Sequence, residues 1–362
     1  MDDQKPDWKS RKPKSLVLKW LLDSDPSIRW QVMHDLTKEP DKIVGAERSR
    51  IATEGWGARL LSLQSPEGHW WADIDPWPWK NTLFTVVLLK DLGLDPSSEE
   101  ARRSIGLVRD RIKWLYHDNR PFFEGEVEPC INGRILAVGA YFGETSDRLV
   151  DRLLGEQLDD GGWNCKAPPS RRSSFHSTIC VLEGLLEYEK AKGADALITE
   201  ARIRAQEYLM DRGMFRSRSS GKVIDHNWTR ISFPTTYHYD ILRGLDYLRD
   251  AGVNPDERIA EAVDLVAKKQ HQDGRWPLQN PHSDRIPFEM EGRAGEASRW
   301  NTLRALRVLD WYSSGIGQDF TRKTRNCSQL ADPLSERSWR DRAQRMKDGL
   351  DVGATGRVER EV

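Results

Sequence analysis

Three times in this chain the pattern Gln-x-x-x-Gly-x-Trp recurs: QSPEGHW at Gln64–Trp70, QLDDGGW at Gln157–Trp163 and QHQDGRW at Gln270–Trp276. A period of this kind points to stacked supersecondary units rather than to one irregular core. Each copy follows an amphipathic helical pattern and precedes a loop, then a second and more apolar helix. The glycine meets a conformational need, because a helix ending in a left-handed residue favours Gly there. The tryptophan beyond it is placed to plug the apolar end of a helix pair. Two weaker copies, WLYHDNRPFFEGE from Trp114 and YLMDRGMFRS from Tyr208, fill the intervals.

The apolar helices then begin near Asn81, Cys130, Phe175, Thr236 and Arg299. More polar partners precede them at Ala46–Leu63, Glu99–Tyr116, Thr145–Gln157, Ile198–Met210 and Asp256–Gln270. A further pair is expected at Ser15–Leu22 and Pro26–Leu36, punctuated by Asp25 and Pro26. Strand signals are scarce. The expected fold class is all-α: five or six helical hairpins, polar helix outside and apolar helix inside. Helices apolar on most faces are covered on both sides, which favours a closed α/α toroid over an open solenoid. Links into the apolar helices are long and rich in Trp, Pro and charge, as at Trp70–Lys80, Trp163–Ser174, Gly213–Pro234 and Trp276–Ser298. In a toroid these links share one end, where function is expected. The toroid is expected over residues 14–313, between a disordered tail at 1–13 and a charged tail at 314–362 that is peripheral or disordered.

Bulk properties exclude several classes. The formal net charge of -1 calls for neither nucleic acid nor an anionic membrane. No apolar run approaches the roughly 20 residues of a membrane helix. The start, MDDQKPDWKSRKPKS, has no apolar core, so no signal peptide is expected. Four cysteines, at 130, 165, 180 and 327, do not form a disulfide framework in a chain of 362 residues. A cytoplasmic protein with reduced thiols and a small-molecule partner is expected.

With these features the chain resembles the terpenoid cyclase and protein prenyltransferase superfamily. The Gln-x-x-x-Gly-x-Trp segments look like the QW motifs of squalene-hopene cyclases, over roughly Ala46 to Tyr312. The resemblance implies the toroid and an enzyme acting on an isoprenoid-like or amphipathic substrate in a central cavity. The superfamily's acids do not carry over. Where a class II cyclase has Asp-x-Asp-Asp before an inner helix, this chain reads WKNT, FHST and RWNT, and it has no DDxxD. Asp73 and Asp75 in ADIDPW are the nearest acids in similar spacing. The prenyltransferases hold zinc with Asp-x-Cys and a later His. Glu128, Cys130 and His176 resemble those ligands, with Glu in place of Asp.

Spacing adds Cys180, four residues after His176 and so on the same helix face, where thiolate and imidazole suit Zn²⁺. The alternative is that Cys130 and Cys180 are small core residues and His176 bonds locally. Aligning the apolar helices on Thr82, Gly133, Thr178, His238 and Thr302 places a polar layer on one side: Cys180 and Glu183, Asp240 and Arg243, Arg304 and Arg307. The opposite side reads Phe84, Ile135, Val87 and Val138. Such charges either pair with one another or line a half-polar cavity for an acidic or polyoxygenated head. In the second case Arg243 and Arg304 are anion contacts, His238 a substrate contact, and Asp240 and Glu183 catalytic candidates. The Trp-rich link HWWADIDPWPW adds Trp71, Trp77 and Trp79 as substrate contacts. Together with Asp284, Glu289 and Glu291 it keeps a carbohydrate-active toroid open. A non-catalytic binding or interaction toroid is the remaining alternative, since a fold does not fix a function.

Overall fold

Residues 15–70, 78–114, 119–282 and 288–322 are described by a computed structural model, without the side chains of 78–79 and 316–322. The chain is mostly helical. Helices α1 (Ser15–Leu22) and α2 (Pro26–Val32) form the first pair, and α2 runs on as a wide turn at Met33–Thr37. There follow α3 (Asp41–Ser49), α4 (Gly55–Ser62), α5 (Pro78–Leu92), α6 (Glu99–Arg111), α7 (Pro129–Phe142) and α8 (Asp147–Gly155). The rest are α9 (Phe175–Lys192), α10 (Ala196–Met210), α11 (Ile241–Asp250), α12 (Ala260–Lys268) and α13 (Arg299–Arg322). Two antiparallel ribbons of two residues per strand pair β1 (Lys113–Trp114) with β2 (Arg120–Pro121), and β3 (Trp276–Pro277) with β4 (Ala297–Ser298). No helix among the described residues is long and apolar enough to cross a membrane.

Side-chain caps start several helices, each satisfying an orphan N–H. Ser98 caps α6, Ser146 caps α8 and Asp195 caps α10. Asp25 accepts from Ser27 N at 2.8 Å to cap α2, and its other oxygen accepts from Trp56 N at 2.7 Å. That second bond breaks the helix expected over Ala46–Leu63. Gly55 turns there with φ +67°, and a Cβ on it would collide with the Asp25 carboxylate. The helix expected from Thr236 begins five residues later, because Thr236 is left-handed (φ 46°) and Asp240 is an extended N-cap. Helix α13 runs to Arg322, past the boundary expected at 313.

The three Gln-x-x-x-Gly-x-Trp segments fold alike. Gly68, Gly161 and Gly274 are all left-handed, with φ of 92°, 98° and 87°. The side-chain amide of Gln64, Gln157 and Gln270 donates to that glycine's carbonyl at 3.1, 2.7 and 3.1 Å. Gln64 and Gln157 also donate to Ser104 O and Ala201 O on the next polar helix. Trp70, Trp163 and Trp276 are fully buried, and each indole N–H donates to the carbonyl ten residues back, at 2.7–2.8 Å. Each corner therefore closes the end of one helix, and the first two also tie it to the next polar helix.

The more apolar helices pack in succession. α5 lies against α7, α7 against α9, and α11 against α13. α9 joins α11 through the Glu183–Arg243 ion pair. α13 reaches α2 through Arg307, which bonds Gln31 and Asp35. α2 in turn meets the end of α5: Trp30 Nε1 donates to Leu92 O at 2.9 Å and Gln31 Nε2 to Asp91 O at 3.1 Å. The tightest crossing is α7 on α9, where Gly133 lies against the backbone of Cys180 and Val181, and Gly184 against that of Gly133.

Candidate functional site

Helices α2, α3, α5, α7, α9, α11 and α13 line a partly open cavity of about 510 Å³. Its lining carries eight cationic side chains and six carboxylates, with an aromatic share from Trp30, Tyr141, Phe233, Tyr247 and Trp300. Phe233 and Trp300 stack at 4.3 Å between centroids. All six cavity carboxylates are ion-paired: Asp35 with Arg307, Asp91 with Lys90, Glu183 with Arg243, Glu187 and Asp250 with Lys190, and Asp246 with Arg249 and Arg304. The side expected to be apolar is charged too, because Lys90, Asp91 and Arg134 face the cavity there. The sequence alignment set α7 one residue out of register: its cavity-facing residues are Arg134, Ala137 and Tyr141 rather than Ile135 and Val138. Arg134, Lys90 and Asp246 are cavity residues that the sequence reading missed. For Arg134 a signal existed, a lone charge inside the apolar run INGRILAVGAYF.

The expected polar layer separates into distinct roles. Glu183 accepts from Arg243 Nε at 2.8 Å and Nη2 at 2.6 Å, a bidentate pair. Burial opposes ionisation of Glu183, but Arg243, aided by Arg134 and Lys90, holds its carboxyl below the ordinary value. Arg243 also donates to His238 O at 2.8 Å and to Cys180 Sγ at 3.5 Å. Arg304 lies 3.3 Å from Asp246 and donates to Ser232 O at 3.1 Å. Asp240 does not line the cavity: it is the buried N-cap of α11, accepting from Arg243 N at 2.8 Å and Ser232 N at 3.3 Å. His238 stacks on His282 at 3.7 Å between centroids, in the loop before α11. Asp73, Asp75, Trp71, Trp77 and Asp284 lie outside the described residues, as does the side chain of Trp79.

The four expected zinc ligands do not assemble. Glu128 and Cys130 come together with Cys165, the ligand atoms all lying within 4.8 Å of one another. Cys165 belongs to no spacing motif, so nothing in the sequence singles it out as a partner. His176 points elsewhere: its Nδ1 accepts from Tyr239 N at 2.9 Å. Cys180 is fully buried beneath Arg134 and Arg243. A hydrogen bond between Cys130 and Cys165 pushes the first thiol up and the second down. Two thiols and a carboxylate, none of them fully buried, are ligand types that Zn²⁺ accepts.

Two titrating groups flank the site with opposite signs. Burial, then His238 and Arg243, lowers His176 to about 4 from 6.5. Burial raises Glu291 to about 7 from 4.5, although Trp300 N donates to it at 2.9 Å. Glu291 lines a smaller cavity of about 160 Å³ that shares Phe233 with the main one. A depressed histidine is fully stabilising above its unfolded value and loses that stability as pH falls from 6.5 toward 4. A raised carboxyl does the reverse: the folded state binds the extra proton, so stability falls as pH rises from 4.5 to 7. Each effect is on the order of 3 kcal/mol, and they largely cancel. Glu291→Gln is therefore expected to gain on the parent protein as pH rises through this window, measured by urea denaturation at a series of pH values. Equal slopes for the two proteins would exclude the raised carboxyl.

No protein-family model matches the chain, and no curated protein matches it. Among solved structures, a protein from Actinoplanes aligns over 80% of this chain and 90% of its own, with a TM-score of 0.40 and 18% identity. A substituted form of the type II terpene cyclase MstE from Scytonema, in complex with geranylgeranyl dihydroxybenzoate, aligns over 80% of this chain and 87% of its own, with a TM-score of 0.38 and 15% identity. An apo form of the same cyclase gives a TM-score of 0.37 at 16% identity over the same shares.

Proposed function

We propose that the chain is a terpenoid-cyclase-like α/α toroid whose cavity binds an amphipathic small molecule. The ring reading is supported by the succession α2, α5, α7, α9, α11, α13 and back to α2, each step a packing contact, hydrogen bond or ion pair. The binding reading is carried by the cavity itself. Its volume of about 510 Å³ falls in the range that takes small molecules, and charged walls stand beside the Phe233–Trp300 stack. Polar groups would orient a head, and the aromatic patch would cover an apolar portion.

Binding is favoured over proton-initiated cyclisation because the cavity carboxylates are ion-paired, and at Asp35, Glu183 and Asp246 the neighbouring cations outweigh burial and hold the carboxyl below its ordinary value, where it is a poor proton donor. A catalytic reading draws on Glu291, a carboxyl near half-protonation at neutral pH beside Phe233. Zn²⁺, where present, would be held by Glu128, Cys130 and Cys165 and would supply a Lewis acid at that face.

Trp30 and Trp300 line the cavity, so tryptophan fluorescence reads its occupancy. Titration with geranic acid and with its neutral alcohol geraniol is expected to give a saturable change. Ala137→Trp, which fills the cavity from α7, is expected to abolish it. A response indifferent to Ala137→Trp, or no saturable response to either compound, would refute the binding reading. Mass spectrometry of the same incubations tests turnover.

A further inference from the structure

We propose that Arg134 is the centre of an oxyanion subsite within the cavity, taking a carboxylate or phosphoryl group of the bound molecule; this rests on the cavity reading above.

Arg134 sits on α7 with 4% of its surface exposed, and it lines the cavity. A guanidinium has five N–H donors and no acceptor, and burying it without a partner is costly. Among the described residues no carboxylate pairs with it. Its one contact is a long one, Nη1 to Cys180 Sγ at 3.9 Å, and its Nε is buried with no partner at all.

The neighbours explain why the cation stays unpaired. Glu183 is close enough to feel Arg134, but both its oxygens are taken by Arg243. Cys180 Sγ lies between the two guanidinium groups and offers only weak acceptance. Lys90 adds a third positive charge acting on Glu183. Lys90 has its own partner in Asp91, so the one carboxylate beside Arg134 is already committed to Arg243, and Arg134 faces open volume. Arg243, Arg304 and Arg307, the other deep arginines, each have an internal acid to balance their charge, although Arg307 Nε also lacks a hydrogen-bond partner. Arg134 is the one whose charge and forked donors an incoming oxyanion would complete.

The close crossing of α7 on α9 fixes the geometry. Gly133 lets the two backbones touch, which sets Arg134 beside Cys180 and Glu183 instead of a full side chain's width away. A preset donor group loses little freedom on binding.

The test is thermal denaturation of the full chain in sodium chloride, sodium phosphate and sodium acetate at matched ionic strength. Phosphate is expected to raise the Tm of the parent protein above its value in chloride. An equal response to acetate assigns the subsite to any oxyanion, and a response to phosphate alone assigns it to a phosphoryl group. Arg134→Met is expected to melt higher than the parent in chloride, since the buried charge is gone, and to lose the phosphate response, with at least about tenfold weaker apparent affinity. Arg134→Lys keeps the charge without the fork and is expected to retain a reduced response, which keeps the test decisive if the methionine variant folds poorly. A full phosphate response in both variants overturns the subsite. If neither anion stabilises the parent while geraniol still binds, the subsite fails and the cavity reading stands. If geranic acid, geraniol and both anions all fail, both readings fall.

Discussion

Gly133→Ala, a change of one methyl group, is expected to destabilise the chain by about 3 kcal/mol. In an ordinary helix interior the same change is stabilising by nearly 1 kcal/mol. The sign reverses because a Cβ on Gly133 would fall 2.6 Å from both the Cys180 carbonyl carbon and Val181 Cα, which are backbone atoms that cannot rotate away. Relief requires α7 and α9 to separate, and their interface includes the fully buried Cys180 and Val181. The loss is read as a shift in the urea midpoint. Gly155→Ala is the control: it sits in the last turn of α8 with nothing near its Cβ position, so it should be neutral or slightly stabilising. A neutral Gly133→Ala would mean that the crossing is looser than described. The functional consequence follows from the same geometry. Separating the helices draws Arg134 away from Glu183 and Cys180, so the variant should also respond more weakly to phosphate.

How far the sequence reveals this molecule depends on the range of the interaction that fixes each part. The three corners were legible because their determinants are local: a left-handed glycine, and a glutamine and a tryptophan bonding within ten residues of themselves. The helical hairpins were legible for the same reason, through periodicity. Gly55 was harder, because it answers to Asp25, thirty residues away, and so a break was read as continuous helix. The cavity was half legible. Glu183, Arg243 and Arg304 were read as a polar layer, and they do face one another or the cavity. Arg134 escaped because aligning α7 on Gly133 misses the facing register by one residue, and one residue turns a helical side chain by about 100°. Asp240 was displaced by a helix start. It was read as a layer residue inside a helix from Thr236, and it is instead the N-cap of α11, its oxygens accepting from Arg243 N, Ser232 N and Ser232 Oγ. The thiol cluster was the least legible: Cys165 meets Cys130 only through the folding of the Trp163–Ser174 link.

Glu183→Ala is expected to cost about 3 kcal/mol, since it leaves Arg243, only 4% exposed, with a carbonyl and a thiol as partners. The carboxylate's side chain is itself 30% exposed, which places the loss at the lower end for breaking a buried pair. The pH dependence separates this from simple loss of packing. Because Glu183 is held below its ordinary value, its contribution is complete above the unfolded value of 4.5 and is lost as pH falls below that. Glu183→Gln should therefore be weaker than the parent at pH 7 and converge on it in acid. A double-mutant cycle gives the coupling. Arg243→Leu with Glu183→Leu removes both charges and should recover most of the stability that either single change loses, whereas additive losses would deny the pair. Phosphate supplies the last discrimination. With Glu183 gone, Arg134 and Arg243 face the same volume with no carboxylate between them, while Lys90 keeps Asp91. An added oxyanion should then restore more stability to Glu183→Ala than it confers on the parent, because it replaces a missing partner for Arg243 as well as the one Arg134 lacks.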